Sequence, residues 1–287
     1  MADVPVHLEG RTLTLSNLDK VLYPETGFTK AQVVDYYVRI APTILPHLRG
    51  RPLTLVRYPD GVAGKSFFEK RRPPSAPEWV ESGGELGSVL CDEAATLVWL
   101  ANLAALELHT HQATVTAPDS PTAVVVDLDP GPPATVLECA RVALDLKQLL
   151  DRLDLVAAVK TSGSKGLHLS VPTAPGSADD ETTKSFALTL GRLLADAAPD
   201  RVTVTMAKEQ RTGKVFVDWS QNDRHKTTVA AYSLRARPRP TVSTSVSNCR
   251  RVGSAAARAS STSSQVTGVE TVGRGRARSE YAATVVL

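Results

Sequence analysis

Hydrophobic and polar positions along the chain separate into strand-like and helix-like stretches. Val124-Val125-Val126 is a β-branched run closed by Pro130-Gly131, the mark of a buried strand that stops abruptly. Val156 to Thr161 and Leu167 to Val171 read as strands joined by a Gly-rich turn, and Val215 to Val217 as an apolar strand ending on Asp218. Arg51 to Tyr58 reads as a strand running into the turn Pro59-Asp60-Gly61, and residues 8 to 15 alternate like a short hairpin strand. Helical spacing occupies four stretches. Val33, Val34, Tyr37, Val38 and Ile44 predict a helix from Thr29, its N-cap, to about Leu45. Residues 94 to 108 are apolar almost throughout and predict a buried helix ending at His109. Thr135 to Leu150 predicts an amphipathic helix, and about Asp180 to Ala197 a capped one. Strands interspersed with helices predict an α+β, two-layer fold around a mixed or antiparallel sheet.

Composition narrows the class. A chain of 287 residues, 42% hydrophobic, with no long uncharged apolar run, is soluble and globular with no membrane partner. Residues 1 to 10 carry acids and lack an apolar signal segment, so the expected location is cytoplasmic. Cys91, Cys139 and Cys249 form neither a disulfide framework nor a zinc pattern. The formal charge of +3 is misleading. From Val242 onward six arginines face two glutamates, so this tail carries +4 and the rest of the chain −1. Bulk charge gives no case for nucleic acid, and only local clusters can.

The candidate chemistry begins at the strand's end. Side chains alternate along a strand, so Asp127 and Asp129 project from one face, where two carboxylates repel each other unless a cation sits between them. Mg²⁺ or Mn²⁺ suits such a pair, and Asp218 at the end of a neighbouring strand supplies a third carboxylate. On Val124 to Gly131 alone, a strand-end cap with a second, solvated Asp is an equal alternative. Ser162-Gly163-Ser164-Lys165-Gly166, followed by His168, brings backbone N–H groups, hydroxyls and a cation to one small volume, as a triphosphate cradle needs, though without Walker A spacing. Phe67 and Phe68 sit among Lys65, Lys70, Arg71 and Arg72. Such interleaving suits a nucleic-acid strand, but on these residues alone a strand with one Phe in the core and a solvated basic end is the favoured reading. Lys20 and Lys30, taken singly, are ordinary surface lysines. His109 and His111 lack a third metal ligand, which makes a helix-end His favoured by the dipole the simpler expectation.

Three motifs stand in order: Val-Val-Val-Asp-Leu-Asp-Pro-Gly from 124, Thr-Ser-Gly-Ser-Lys-Gly-Leu-His from 161, and Val-Phe-Val-Asp-Trp-Ser-Gln-Asn from 215. With Asn-Leu-Asp-Lys-Val-Leu-Tyr-Pro from 17 and Ala-Tyr-Ser-Leu-Arg-Ala-Arg from 231, they resemble the polymerase domain of bacterial ligase D, a branch of the archaeo-eukaryotic primase superfamily. The resemblance covers roughly residues 8 to 244 and implies a primase-polymerase domain in 1–244. Its DNA-end-binding part would be about 8–75 and its catalytic part about 90–244. It implies a nucleotidyltransferase that adds ribo- or deoxynucleotides to 3′ ends in gap filling and double-strand-break end joining. Two ions, Mn²⁺ or Mg²⁺, and an NTP or dNTP are implied. Asp127 and Asp129 would bridge both ions and Asp218 would hold the one at the primer 3′-hydroxyl. Ser162, Lys165 and His168 would bind the nucleotide, with Arg211, Gln221, Arg235 and His109 around it. Asn17, Lys20 and Lys30 would meet the 5′-phosphate of a downstream strand, and Phe67 and Phe68 the template. Implied partners are gapped or broken DNA with a 5′-phosphate, a separate ATP-dependent DNA ligase and a Ku-type protein, at the bacterial nucleoid.

The pattern breaks after Thr244. Residues 245–287 run in Ser, Ala, Thr, Gly and Arg without an apolar stripe, which predicts disorder and suggests a lost reading frame. A DNA-end-binding module with catalysis impaired by that C-terminus is the rival function. Haloacid-dehalogenase phosphatases and glycosyltransferases with an Asp-x-Asp are weaker rivals: Gly131 does not suit the first, and the second leaves Asp218 and Lys165 unexplained.

Overall fold

The computed structural model describes residues 3–244. The tail, Cys249 and the reading-frame question lie outside them. Two sheets carry the fold. The first has five strands in the order Ala158–Thr161, Leu167–Pro172, Ala123–Pro130, Val215–Asp218, Val202–Thr203. All its neighbours are antiparallel except the last pair, which is parallel, so the sheet is mixed. The second is antiparallel, in the order Thr227–Val229, Ala105–His111, Leu53–Arg57, Phe67–Glu69.

Alternation decides which face each sheet buries. Val124, Val126 and Leu128 of the central strand pack against helices α3 (Val136–Asp151) and α4 (Asp180–Ala197), through residues such as Cys139, Leu146, Ala187 and Leu190. In the second sheet Leu53, Leu55, Leu106 and Leu108 pack on α1 (Lys30–Leu48) and α2 (Ala94–Asn102). Each such side chain contributes roughly 1.5–3 kcal/mol over its exposed state. The helix starts follow their capping residues. Thr29 with Gln32, and Thr135 with Glu138, form capping boxes, while Asp179 accepts from Thr182 N–H.

Two sequence expectations change. The apolar run 94–108 is not one helix: α2 stops at Asn102, Ala104 takes a left-handed φ of 54°, and the chain continues as a strand through His111. A segment buried all round has no polar face from which its period can be read, so helix and strand look alike. His109 therefore sits within a strand and not at a helix end. Residues 8 to 15 likewise hold a turn at Glu9-Gly10, which joins strands Val4–Leu8 and Arg11–Leu15.

Candidate active site

Register brings the candidate residues into one row. Lys160 lies opposite His168, His168 opposite Asp127, and Asp127 opposite Asp218. Cross-strand partners share a face. These four therefore form a rung on the face turned away from α3 and α4, with Asp129 two residues further on, opposite Phe216.

Buried polar atoms are almost always paired. Among the described residues, two buried side-chain atoms lack a hydrogen bond, and both belong to this region: Asp127 Oδ1 and Arg235 Nε. His168 Nε2 stands 3.4 Å from Asp127 Oδ1 without hydrogen-bonding geometry. Burial, with Asp129 and then Asp218 as like charges, pushes the Asp127 carboxyl up to about 8. On the same rung Lys160 Nζ is 2.9 Å from His168 Nδ1 and 2.9 Å from Ser243 Oγ. Burial brings Lys160 down to about 7, against the pull of Asp127. Burial, helped by Lys160 and Arg235, also holds His168 well below the usual histidine range, so its ring is neutral.

Asp218 is engaged by its own turn, accepting from Ser220 N–H at 2.9 Å, Ser220 Oγ at 2.7 Å and Gln221 Nε2 at 3.4 Å. Asn222, at the end of that turn, accepts from Val125 N–H and donates to Val125 C=O, both at 2.8 Å. Its amide thus extends the ladder of the central strand beyond Asp218. Among the described residues no three His, Cys, Asp or Glu side chains already converge as a metal cluster. The donor set still fits a hard divalent cation: three carboxylates share one face, and the buried one has an unpaired oxygen.

The Gly-rich turn differs from a cradle of free N–H groups. Ser162 is buried, and its hydroxyl accepts from Ser164 N–H at 3.2 Å and Gly166 N–H at 3.1 Å. A Cβ at Gly166 would stand 2.0 Å from the Leu128 carbonyl, which is why glycine closes the turn there. What the turn presents is Lys165, its ammonium 3.9 Å from Asp129 and its side chain 59% exposed.

The second sheet contributes Glu107 and His109 from alternate positions of one strand. Buried Glu107 accepts from Ala236 N–H at 3.0 Å and lies 3.1 Å from His109 Nε2 and 3.3 Å from Arg235 Nη1. Burial alone would raise its pKa, but the His109 hydrogen bond and Arg235 outweigh it and hold Glu107 below the usual range. Arg211 stacks 3.5 Å above the Phe216 ring and donates to the Thr205 and Met206 carbonyls. Lys160 and Glu107 were not singled out from the sequence. Glu107 carried a signal, a lone acid at i−2 to His109 in an apolar run; Lys160, ending an apolar strand, carried none.

The end-binding candidates gather where Ser16–Lys20 meets the start of α1. Asn17 adopts φ 51°, its carbonyl accepts from Lys20 N–H at 3.0 Å, and the Lys20 carbonyl accepts from Lys30 N–H at 2.8 Å. Lys20 pairs with exposed Asp60 at 3.0 Å. Lys30 is not a surface lysine: it is 6% exposed and donates to the Ser16 carbonyl and Asn102 Oδ1. Both Phe67 and Phe68 are exposed, at 44% and 67%, which removes the alternative of one ring in the core. The Arg57 guanidinium lies 5.2 Å over Phe67.

A family model described as LigD, primase-polymerase domain, matches residues 29–268. The chain belongs to the LigD primase-polymerase family. It is 45% identical over 236 residues to the multifunctional non-homologous end joining protein LigD of Mycolicibacterium smegmatis, covering 79% of this chain and 31% of that protein. It is 32% identical to the bifunctional LigD of Bacillus subtilis, covering 83% of this chain and 39% of that one. The chain therefore spans about a third of the length of these relatives. The polymerase domain from Mycobacterium tuberculosis ligase D, solved in complex with DNA, matches with a TM-score of 0.78 and 43% identity, covering 81% of this chain and 86% of that one. The α+β, primase-like fold agrees with this likeness. Among the described residues, no helix is long and apolar enough to cross a membrane.

Proposed function

We propose that this LigD-family chain is a nucleotidyltransferase that extends 3′ ends at DNA gaps and breaks during end joining, using ribo- or deoxynucleoside triphosphates. The observation that carries the proposal is a pair of buried side-chain atoms without a hydrogen bond, Asp127 Oδ1 and Arg235 Nε, the two found among the described residues. An unpaired acceptor wants a cation and an unpaired donor wants an anion. Metal and triphosphate supply one of each.

Asp127, Asp129 and Asp218 would hold Mn²⁺ or Mg²⁺. Bound there, divalent ions lower the pKa of a primer 3′-hydroxyl and offset charge on the leaving pyrophosphate. The chain's own residues do the positioning. Asp127 and Asp218 are fixed opposite each other by strand register, Asn222 pins the central strand, and Glu107 orients Arg235 and His109. Lys165, Arg211, Arg235 and Gln221, with His168 and His109, face the triphosphate and base as charge and hydrogen-bond partners, and Ser162 shapes the turn that carries Lys165. Asn17, Lys20 and Lys30 take the downstream 5′-phosphate, and Phe67 and Phe68 stack on the template. The partners are DNA, a DNA ligase and a Ku-type protein, met in the cytoplasm at the nucleoid. The rival, an end-binding module with impaired catalysis, is not favoured, since the three carboxylates and both unpaired atoms lie together within 3–244.

The test is primer extension on a gapped duplex bearing a 5′-phosphate, with Mn²⁺ and ribonucleotides, beside Asp127→Ala. Extension by the wild type alone supports the polymerase. Folded protein that binds the duplex yet extends nothing overturns it.

A further inference from the structure

Lys30 is an unusual buried lysine. Lysines leave water when a carboxylate compensates them. Among the described residues Lys30 has no ion pair; its ammonium is held by two neutral oxygens, the Ser16 carbonyl at 2.8 Å and Asn102 Oδ1 at 3.3 Å. Burial, then the like charges of Lys20 and Arg57, hold it below the usual lysine range, while Asp3 gives a lesser opposing pull. This is a fixed ammonium whose charge is left uncompensated, with a third N–H to spare.

Asn102, the last residue of α2, makes that arrangement possible. Its Oδ1 also accepts from Ser16 N–H at 3.0 Å, and its Nδ2 donates to the Thr14 carbonyl at 3.1 Å. One amide therefore ties α2 to the strand Arg11–Leu15, to the first peptide of the Ser16–Lys20 loop and to Lys30. An aspartate would serve both of the Oδ1 contacts but would give Lys30 a counter-charge. An alanine would leave Ser16 N–H and the ammonium without this acceptor.

We propose that Asn102 is a positioning residue of the 5′-phosphate site, holding Lys30 and the Asn17 loop in place with a neutral amide so that the charge of Lys30 remains available to a phosphate. This rests on the reading of Lys20 and Lys30 as a 5′-phosphate site. The phosphate, a dianion near neutral pH, supplies the missing counter-charge from the DNA end, so the site discriminates a phosphorylated end from a hydroxyl end.

The experiment measures affinity of the full chain for fluorescent gapped duplexes that differ only in 5′-phosphate or 5′-hydroxyl, for wild type, Lys30→Ala, Asn102→Asp and Asn102→Ala. A merely structural asparagine would change both affinities together, so the readout is their ratio. Lys30→Ala should lose the phosphate preference. Asn102→Asp, although it keeps an acceptor for Ser16 and Lys30, should lower the ratio about fivefold or more, close to Lys30→Ala. Asn102→Ala should fall between Asn102→Asp and wild type, and serves alone if the aspartate variant does not fold. Lost preference in Lys30→Ala with a wild-type ratio in the folded Asn102 variants overturns the role of Asn102 alone. An unchanged ratio in Lys30→Ala removes the phosphate site itself, and the role of Asn102 with it.

Discussion

Val126 and Asp127 are neighbours on one strand, both buried, and they face opposite worlds. Val126 belongs to an apolar cluster with Cys139, Val142, Leu146 and Leu190. Asp127 looks across a rung of titratable groups, and one of its oxygens is bonded to nothing. The first face is optimised for the folded state; the second holds like charges together at a cost in stability, ready for a partner that relieves them. Removing atoms should therefore have opposite consequences on the two faces.

The largest effect is expected from Asp127→Asn. It removes a buried carboxyl whose ionisation is opposed by burial, Asp129 and Asp218, so extension should fall about a thousandfold or more while the thermal midpoint without divalent ions holds or rises. A lower midpoint would mean that the carboxylate is a structural member of the sheet and that the two faces are not so different. Next comes Leu128→Ala, one residue along and pointing the other way. Chemical denaturation should show a loss of about 2–5 kcal/mol, with synthesis per folded molecule largely retained. The smallest effect concerns Glu138, whose capping bonds to Thr135 start the helix that covers the apolar face. Those bonds hold its pKa below the free value of 4.5, so its stabilisation is fully present above that pH and is lost as pH falls through the depressed folded value. The difference in midpoint between wild type and Glu138→Ala should be measurable at neutral pH and shrink in acid; a gap constant with pH would break the assignment.

Much of this contrast is visible in the one-dimensional chain because a strand's alternation is local. Val-Val-Val-Asp-Leu-Asp contains both faces, and the caps at Thr29, Thr135 and Asp179 can be read from the residues themselves. What was hidden is non-local. Strand register alone puts Lys160 on the rung of Asp127, and nothing near position 160 signals it. The burial of Lys30 depends on Asn102 and Ser16, so a charged residue that looked like surface turned out to be interior. The error at residues 94–108 has the same origin: α2 and the strand after it are both enveloped by the molecule, and envelopment erases the polar side from which a period is read. The inward turn of the Ser162 hydroxyl, which closes a loop expected to offer free N–H groups, likewise depends on the Gly166 backbone passing against Leu128.

The capping of α2 bears on where this protein can be cut. Glu93 makes no cap bond; instead Glu9, at the tip of the first hairpin, reaches across to accept from Ala94 N–H at 2.7 Å and Ala95 N–H at 3.3 Å. At its other end α2 is tied through Asn102 to Thr14 and Ser16. The leading hairpin is thus a clasp fastened to both ends of one helix. A shortened protein begun at residue 29, where the family match starts, would keep every carboxylate of the rung and lose the clasp. Anyone trimming this domain to its recognisable core would be discarding the contacts that hold both ends of α2.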